Sequence, residues 1–372
     1  MVNTMSRRAL IASIAALALG FGAPGAGDGA QPPPPPSAPS PPAPPATPAA
    51  PAASPAVDAS AYNWLRPDIA PLIAAGLWPS LAGDDLGREP TQADLALALS
   101  IIAPNPPGPG GDRSAPVSVW AAHLAAVRAL GLEPTRRALA QLSDDAGNRM
   151  RLPRNFGSEA IAHELGLVVN PPAEHEDLER RRRQPIALGD LAYLTERARN
   201  LNSWEVERGR ALGELRLPSM NPQQRSLVEA ALAQVGSPYV WGGDWPGVRS
   251  PWGAQAVGGF DCSGLVWWSL KGAPPASRMA VGARLMGRTA DDMAFERPTQ
   301  RVALNRLRPA DLVFFGPAGP RSKRGTISHM AISLGGRWIV HSSGSRGGVA
   351  ISNLDTYWPS ATALARRVPG LG

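Results

Sequence analysis

Two different patterns of hydrophobic and polar positions divide the chain near residue 215. From residue 59 up to this point, apolar residues recur at helical spacing in short segments, several of which are stopped by a glycine. The stretch 73–99 resembles 162–194. Each has a short helix ended by glycine, a turn containing proline, and a second helix that begins near an acidic residue. This weak repeat predicts a helical array at 59–215 whose neighbouring units bury one another's apolar faces.

After residue 215 the pattern mixes helix with strands. Helical periodicity runs over 223–235, whereas 311–315 is a continuous apolar run typical of a buried strand. Two further strands are predicted at 327–334 and 338–342, joined by a glycine-containing turn.

The first 58 residues have the composition of a leader and a spacer. Arg7 and Arg8 precede an apolar run at 9–19 and then small residues, which is the layout of a secretory signal. The run is shorter than the roughly 20 residues that a membrane-spanning helix needs. We therefore predict a signal peptide at 1–30, no stable membrane anchor, and a secreted protein. Residues 31–58 are rich in proline and alanine, which predicts an extended linker.

The charge balance narrows the choice of partners. Lys+Arg 37 against Asp+Glu 30 gives a formal net charge of +7, which favours polyanionic surroundings, either nucleic acid or an anionic cell envelope. No nucleic-acid-binding module is recognisable, so nucleic acid is not a predicted partner. A single cysteine excludes an intramolecular disulfide framework and a multi-cysteine zinc site. No metal or other cofactor is predicted.

The only cysteine, Cys262, follows Asp261 and opens an apolar segment with helical spacing. We expect Asp261 to cap this helix, with the sulfur at its N-terminus. There the backbone N–H groups and the helix dipole should lower the thiol pKa below its free value of about 8.5. A buried structural thiol is the alternative, because free cysteines are among the most buried residue types. A lone cysteine becomes a candidate nucleophile when histidines elsewhere in the chain can reach it.

Two histidines, His329 and His341, lie in the two predicted strands. Side chains alternate between the faces of a strand, so the turn length decides whether the imidazoles meet. A two-residue turn at 335–336 would place Met330 opposite His341 and the histidines on opposite faces. A three-residue turn at 335–337 would place Ala331 opposite His341, with both imidazoles on one face. A catalytic Cys-His pair with a third polar group requires the longer turn. The histidines of the helical region are interpreted as ordinary surface or core residues: His123, His163 and His175.

Six short motifs together resemble the NlpC-type cell-wall cysteine peptidases, a family with a papain-like core. In chain order they are PYVWGG at 238–243, FDCSGLV at 260–266, RTA at 288–290, RPADLVFF at 308–315, SHMAI at 328–332 and VH at 340–341. The resemblance covers about residues 222–355. It implies an α+β papain-like domain at 216–372, with an antiparallel sheet packed on helices and the nucleophile at a helix N-terminus. Two features depart from the family: Ala310 stands where glycine is usual, and the loop 244–259 is longer than typical.

The resemblance also assigns roles to residues. It implies that Cys262 is the nucleophile, that His329 is the general base and then the acid, and that His341 orients His329. It further implies substrate or oxyanion contacts for three residues: Tyr239, Asp261 and Ser263. The reaction that the resemblance implies is hydrolysis of amide bonds in peptidoglycan stem peptides, between D-Glu and a diamino acid, by a secreted protein associated with the cell wall.

Other functions are compatible with the same residues. An acyltransferase or a different amidase could use the same triad, because an amine can resolve a thiolate acyl-enzyme in place of water. A non-catalytic wall-binding protein is a further alternative, although the intact triad argues against it. The helical region loosely resembles the S-layer-homology repeat over 65–103 and 160–201, which implies attachment to anionic cell-wall polymers.

Overall fold

The computed structural model describes residues 59–106, 108, 112–250, 253–272 and 280–371. The predicted signal peptide at 1–30 and linker at 31–58 lie outside the described residues. The described residues belong to one compact unit, and the division into domains near residue 215 stays a prediction. Within the described ranges, none of the helices combines the length and the apolar character needed to cross a membrane.

Short α-helices make up the first part of the described chain. The α-helices whose bounds both lie within the described residues are α1 (Arg66–Ala74), α2 (Gln92–Ile102), α3 (Val119–Ala129), α4 (Glu133–Ala140), α5 (Phe156–Glu164), α6 (Leu188–Arg199), α7 (Ser203–Ala211), α8 (Pro222–Leu232), α9 (Cys262–Trp267) and α10 (Ala290–Ala294). Gly76, Gly131 and Gly166 follow α1, α3 and α5 with φ of 66°, 71° and 67°. These left-handed positions explain why glycine ends each helix, as the sequence predicts.

The strands lie after α8 and form one six-stranded antiparallel sheet and two small ribbons. The large sheet has the order β5 (Gln300–Val302), β10 (Thr362–Arg367), β6 (Leu312–Phe315), β7 (His329–Gly335), β8 (Trp338–Ser343) and β9 (Gly348–Asn353). The ribbons pair β1 (Asp244–Trp245) with β4 (Gly259–Phe260), and β2 (Arg249–Ser250) with β3 (Gly253–Ala254). The predicted α+β architecture, an antiparallel sheet packed on helices, is confirmed.

One hydrophobic core joins the helices to one face of the sheet. It contains Leu65 and Leu99 from the first helices together with Leu265 of α9 and Ile332 of β7. Because burial of apolar surface supplies most of the stability of a fold, the helical region and the sheet stabilise each other. Helix α5 packs against β9, the edge strand of the sheet. This contact brings the C-terminal end of α5 close to the strands that carry the histidines.

Ala310 occupies a strained turn just before β6. Its φ is 73°, in the left-handed region that disfavours residues with a Cβ atom. Its N–H donates to the carbonyl oxygen of Ser333 in β7 at 2.9 Å. The turn therefore links β6 to β7 while imposing a backbone conformation that glycine would adopt without strain.

Candidate active site

Cys262 is the first residue of α9, and Asp261 is its N-cap, as predicted. The Asp261 Oδ1 atom accepts a hydrogen bond from the Gly264 N–H at 2.5 Å. Gly264 itself lies against the backbone of Gly243, where a Cβ atom would come within 1.8 Å of the carbonyl oxygen. The start of the helix is therefore fixed by a carboxylate cap and by a glycine that admits close backbone packing.

The side chain of Cys262 is half-buried at the start of α9. Burial raises its pKa to about 12, and the neighbouring Asp261 carboxylate acts in the same direction. Backbone N–H groups of Met330, Ser263 and Cys262 itself oppose this rise but do not reverse it. The expectation of a lowered pKa is therefore wrong, because the cost of placing a thiolate in a buried site exceeds what the helix N-terminus returns. The Met330 contact also places the sulfur beside the residue that follows His329.

The hairpin of β7 and β8 brings the two histidines together. Ile332 pairs with Val340, which sets Ala331 opposite His341 as predicted for imidazoles on one face. The turn itself comprises residues 336–337, since Gly335 pairs with Trp338, and an irregularity between Ser333 and Gly335 restores the required register. The Nε2 atom of His329 lies 2.9 Å from Nδ1 of His341.

Both imidazoles are neutral at ordinary pH. Burial lowers the pKa of His329 to about 3, and burial together with His329 and Arg346 lowers the pKa of His341 well below its usual value. Because His341 occupies Nε2 of His329, Nδ1 is the nitrogen of His329 that remains for a thiol proton. The site thus holds a neutral thiol at the backbone of Met330, the residue that follows the first of the two neutral imidazoles.

The other predicted residues surround Cys262. Tyr239 forms an isolated parallel bridge with Phe260, and its hydroxyl pKa is raised by burial and by the proximity of Cys262 and Asp261. The Ser263 hydroxyl donates to Asp261 Oδ1 at 2.9 Å. These contacts place Tyr239, Asp261 and Ser263 around the start of α9.

Arg288 is a site residue to which the sequence motif assigned no role. Its guanidinium donates to Ser263 Oγ at 2.9 Å and to the Gly242 carbonyl oxygen at 3.0 Å, and it lies 3.5 Å from Asp261. It therefore connects the loop after Tyr239 to the start of α9. Its position in the RTA motif was the available signal, but the motif does not reveal the contacts.

Two clefts flank the site and include residues that sequence reasoning missed. A cleft of about 430 Å³ is lined in part by Phe315, Ser328 and Trp358. The Trp358 ring lies 5.6 Å from the His329 ring between centroids and is 45% exposed. A second cleft of about 250 Å³ is lined in part by Glu176 and Trp241. The backbone N–H of Trp241 donates a hydrogen bond to Glu176 Oε1 at 3.0 Å. Glu176 lies outside the motifs, so no local pattern announces it.

Comparison with known proteins identifies the part of the chain that carries this site. Residues 236–367 match the model of the NlpC/P60 family. A probable endopeptidase of Mycobacterium tuberculosis is 36% identical over 133 residues, 34% of this chain and 26% of that protein. Murein DD-endopeptidase MepH of Escherichia coli is 33% identical over 138 residues, 37% of this chain and 43% of that protein. The chain thus spans less than half the length of these two relatives.

A solved structure, that of the peptidoglycan hydrolase RipB from Mycobacterium tuberculosis, is similar at 29% identity. The alignment covers 39% of this chain and 64% of that one, with a TM-score of 0.30. The family match coincides with α9, the β7–β8 hairpin and the residues around them. The chain therefore carries an NlpC/P60 family domain at residues 236–367.

Proposed function

We propose that the chain is a secreted cysteine peptidase that hydrolyses amide bonds in peptidoglycan stem peptides, between D-Glu and a diamino acid. One observation carries the proposal: the Cys262 thiol lies at a helix start and contacts the backbone of Met330. The residue before Met330 is His329, whose Nε2 atom lies 2.9 Å from Nδ1 of His341. This is the order of groups that nucleophilic catalysis by a thiol needs. The names of the relatives, murein and peptidoglycan endopeptidases, support the substrate class.

The reaction follows from the resting protonation states. Because the thiol and the imidazole are both neutral, the proton passes from Cys262 to Nδ1 of His329 as the sulfur attacks the substrate carbonyl. The developing oxyanion is stabilised by N–H groups at the start of α9 and by the Tyr239 hydroxyl. His329 then protonates the leaving amine, and a thioester forms. Water hydrolyses this thioester, returning its proton through His329 to the thiol.

Digestion of defined muropeptides, with mass spectrometry of the products, tests the proposal. The wild-type protein should release fragments cut on the carboxyl side of D-Glu, and Cys262→Ala should release none. Arg337→Ala is a matched control, because Arg337 is an exposed residue in the turn of the hairpin, away from the thiol. Undiminished hydrolysis by Cys262→Ala contradicts the assignment. Products that carry an added amine would instead identify an acyltransferase.

We also propose that the helical region attaches the enzyme to anionic cell-wall polymers. The supporting observation is a cleft of about 790 Å³ lined by Ser118, Trp120, Pro153, Arg154, Asn155, Arg181, Arg182 and Arg183. The Nδ2 atom of Asn155 is buried there without a partner among the described residues. Guanidinium groups clustered in one cleft repel each other, and phosphate groups match their paired N–H donors.

Cosedimentation with purified cell walls tests this attachment. The double variant Arg181→Ala/Arg183→Ala should lower the bound fraction several-fold at low salt, and walls stripped of phosphate polymers should lower wild-type binding equally. Arg137→Ala/Arg337→Ala removes the same charge from exposed positions outside the cleft and serves as the control. Equal binding by the two double variants contradicts a role for the cleft.

A further inference from the structure

Glu164, the last residue of α5, stands at the end of a hydrogen-bond chain that begins at His329. The Nε2 atom of His341 lies 3.2 Å from Ser352 Oγ, and the Ser352 hydroxyl donates to Glu164 Oε2 at 2.9 Å. Together with the 2.9 Å contact between the imidazoles, these bonds connect a carboxylate of the helical region to the histidine beside the thiol. His341, Ser352 and Glu164 are all buried, so the bonds are shielded from water.

The carboxylate of Glu164 is expensive to keep in this position. It is buried at a helix C-terminus, where the helix dipole disfavours negative charge. Two guanidinium groups offset this cost. Arg208 Nε lies 2.8 Å from Oε1, and Arg346 Nη2 lies 3.4 Å from Oε2. Both arginines also donate to the Glu164 carbonyl oxygen, at 2.9 and 2.7 Å. Burial raises the pKa of Glu164, and the two guanidinium groups and the Ser352 hydroxyl oppose that rise. These contacts favour the ionised carboxylate at neutral pH, and a carboxylate can only accept hydrogen bonds.

An acceptor at one end fixes the direction of every bond in the chain. Ser352 must donate its proton to Glu164, so its oxygen accepts from His341 Nε2–H. The Nδ1 atom of His341 is then bare and accepts from His329 Nε2–H. The Nδ1 atom of His329 then carries no proton, so in the proposed reaction it can accept the proton of the thiol.

We infer that Glu164, acting through Ser352, is a positioning residue that fixes the tautomers of His341 and His329 and stabilises the imidazolium that forms during catalysis. The inference rests on the proposed function for its kinetic consequence. It adds that the helical region contributes a charged group to the reaction, in addition to any attachment to the wall. Among the described residues, His329 contacts His341 and aromatic rings. Without Glu164, the imidazolium would therefore form in a buried site that has no carboxylate to stabilise it.

Kinetics of Ser352→Ala and Glu164→Gln, measured per folded molecule, test the inference. Each substitution should lower kcat about tenfold with KM changed less than twofold, a part of the 10²–10⁴-fold that general acid–base catalysis supplies. The double variant should have the same kcat as the less active of the two single variants, since both changes interrupt one hydrogen-bond chain. Ser352→Thr keeps the hydroxyl and should retain more activity than Ser352→Ala.

Nitrogen NMR of the histidines gives a second readout that needs no substrate. In the wild-type protein both imidazoles should carry their proton on Nε2, whereas Ser352→Ala and Glu164→Gln should show a mixture with the Nδ1–H form. A purely structural role predicts lower stability with unchanged kcat and unchanged tautomers in the folded variants, and that result overturns the inference. If the wild-type protein cleaves no muropeptide, the proposed function fails while the tautomers still decide the role of Glu164.

Discussion

The resting protonation state of Cys262 has a measurable consequence for its reactivity. Burial and Asp261 raise its pKa to about 12, against about 8.5 for a free cysteine. At pH 8 about a quarter of a free thiol is ionised, but only about one part in 10⁴ of a thiol with the raised pKa. Iodoacetamide reacts with the thiolate, so it should modify Cys262 about three orders of magnitude more slowly than free cysteine at pH 8. The rate should rise about tenfold for each pH unit between 6 and 10.

Intact-mass spectrometry can follow this modification without interference, because Cys262 is the only cysteine of the chain. His329→Ala is the control variant. If the imidazole is neutral in the resting site, its removal leaves the tenfold rise per pH unit unchanged, although access to the sulfur increases. A wild-type rate that is constant between pH 5 and 8 and exceeds that of free cysteine would refute the reasoning, especially if His329→Ala abolished the plateau. Such a result would identify a thiolate–imidazolium pair that exists before substrate binds.

Three further predictions concern the stability of the elements that hold the site. Burial lowers the pKa of His163 to about 4 and that of His329 to about 3, below the unfolded value of about 6.5. Their contribution to stability is therefore complete above pH 6.5 and is lost as the pH falls, by about 2 kcal/mol for each histidine at pH 5. The buried Asp190, whose pKa is raised to about 7, acts in the opposite direction, so the test compares His163→Asn with the wild-type protein: the variant should lose about 2 kcal/mol less between pH 7.5 and 5, and an identical pH dependence would contradict this. Gly264→Ala places a Cβ atom 1.8 Å from a backbone carbonyl oxygen and should destabilise the fold by more than about 3 kcal/mol. Gly83→Ala, with open space around the new Cβ, should leave the urea midpoint and the activity unchanged, and a similar loss in both variants would refute the packing argument. Ala310→Val should be about 2 kcal/mol less stable than Ala310→Gly, because φ of 73° disfavours a β-branched residue; coincident thermal midpoints would show that the turn relaxes.

The elements around the site could be predicted because their signals are local. A continuous apolar run identified β6, and the alternation along β7 and β8 tied the meeting of the imidazoles to one register. The structure reaches this register by a different route, with a two-residue turn and an irregularity between Ser333 and Gly335. The two adjacent glycines therefore did not determine the length of the turn. The requirement that both imidazoles lie on one face of the hairpin did predict the pairing of Ile332 with Val340.

The protonation state of Cys262 could not be predicted in the same way. The start of α9 is a local feature that the capping residue Asp261 reveals in the sequence. Considered by itself, a helix N-terminus lowers the pKa of a thiol. Burial depends on what packs over the sulfur, which includes β7 and is set by the whole fold. The larger effect is the non-local one, so a sequence argument that counts only the helix dipole obtains the wrong sign.

The contact between Glu164 and Ser352 is a feature of the site that the sequence does not predict. Glu164 and Ser352 are separated by 188 positions, and no motif of the family domain includes α5, so nothing in the sequence joins them. The one local sign is unfavourable: an acidic residue at a helix C-terminus, where a basic one would suit the dipole. A fold that needed only packing at this place could use an apolar residue. It instead retains a buried carboxylate with two arginines and a serine directed toward His341. Under the proposed mechanism this arrangement serves the reaction, and the helical region then contributes a positioning residue to the catalytic site.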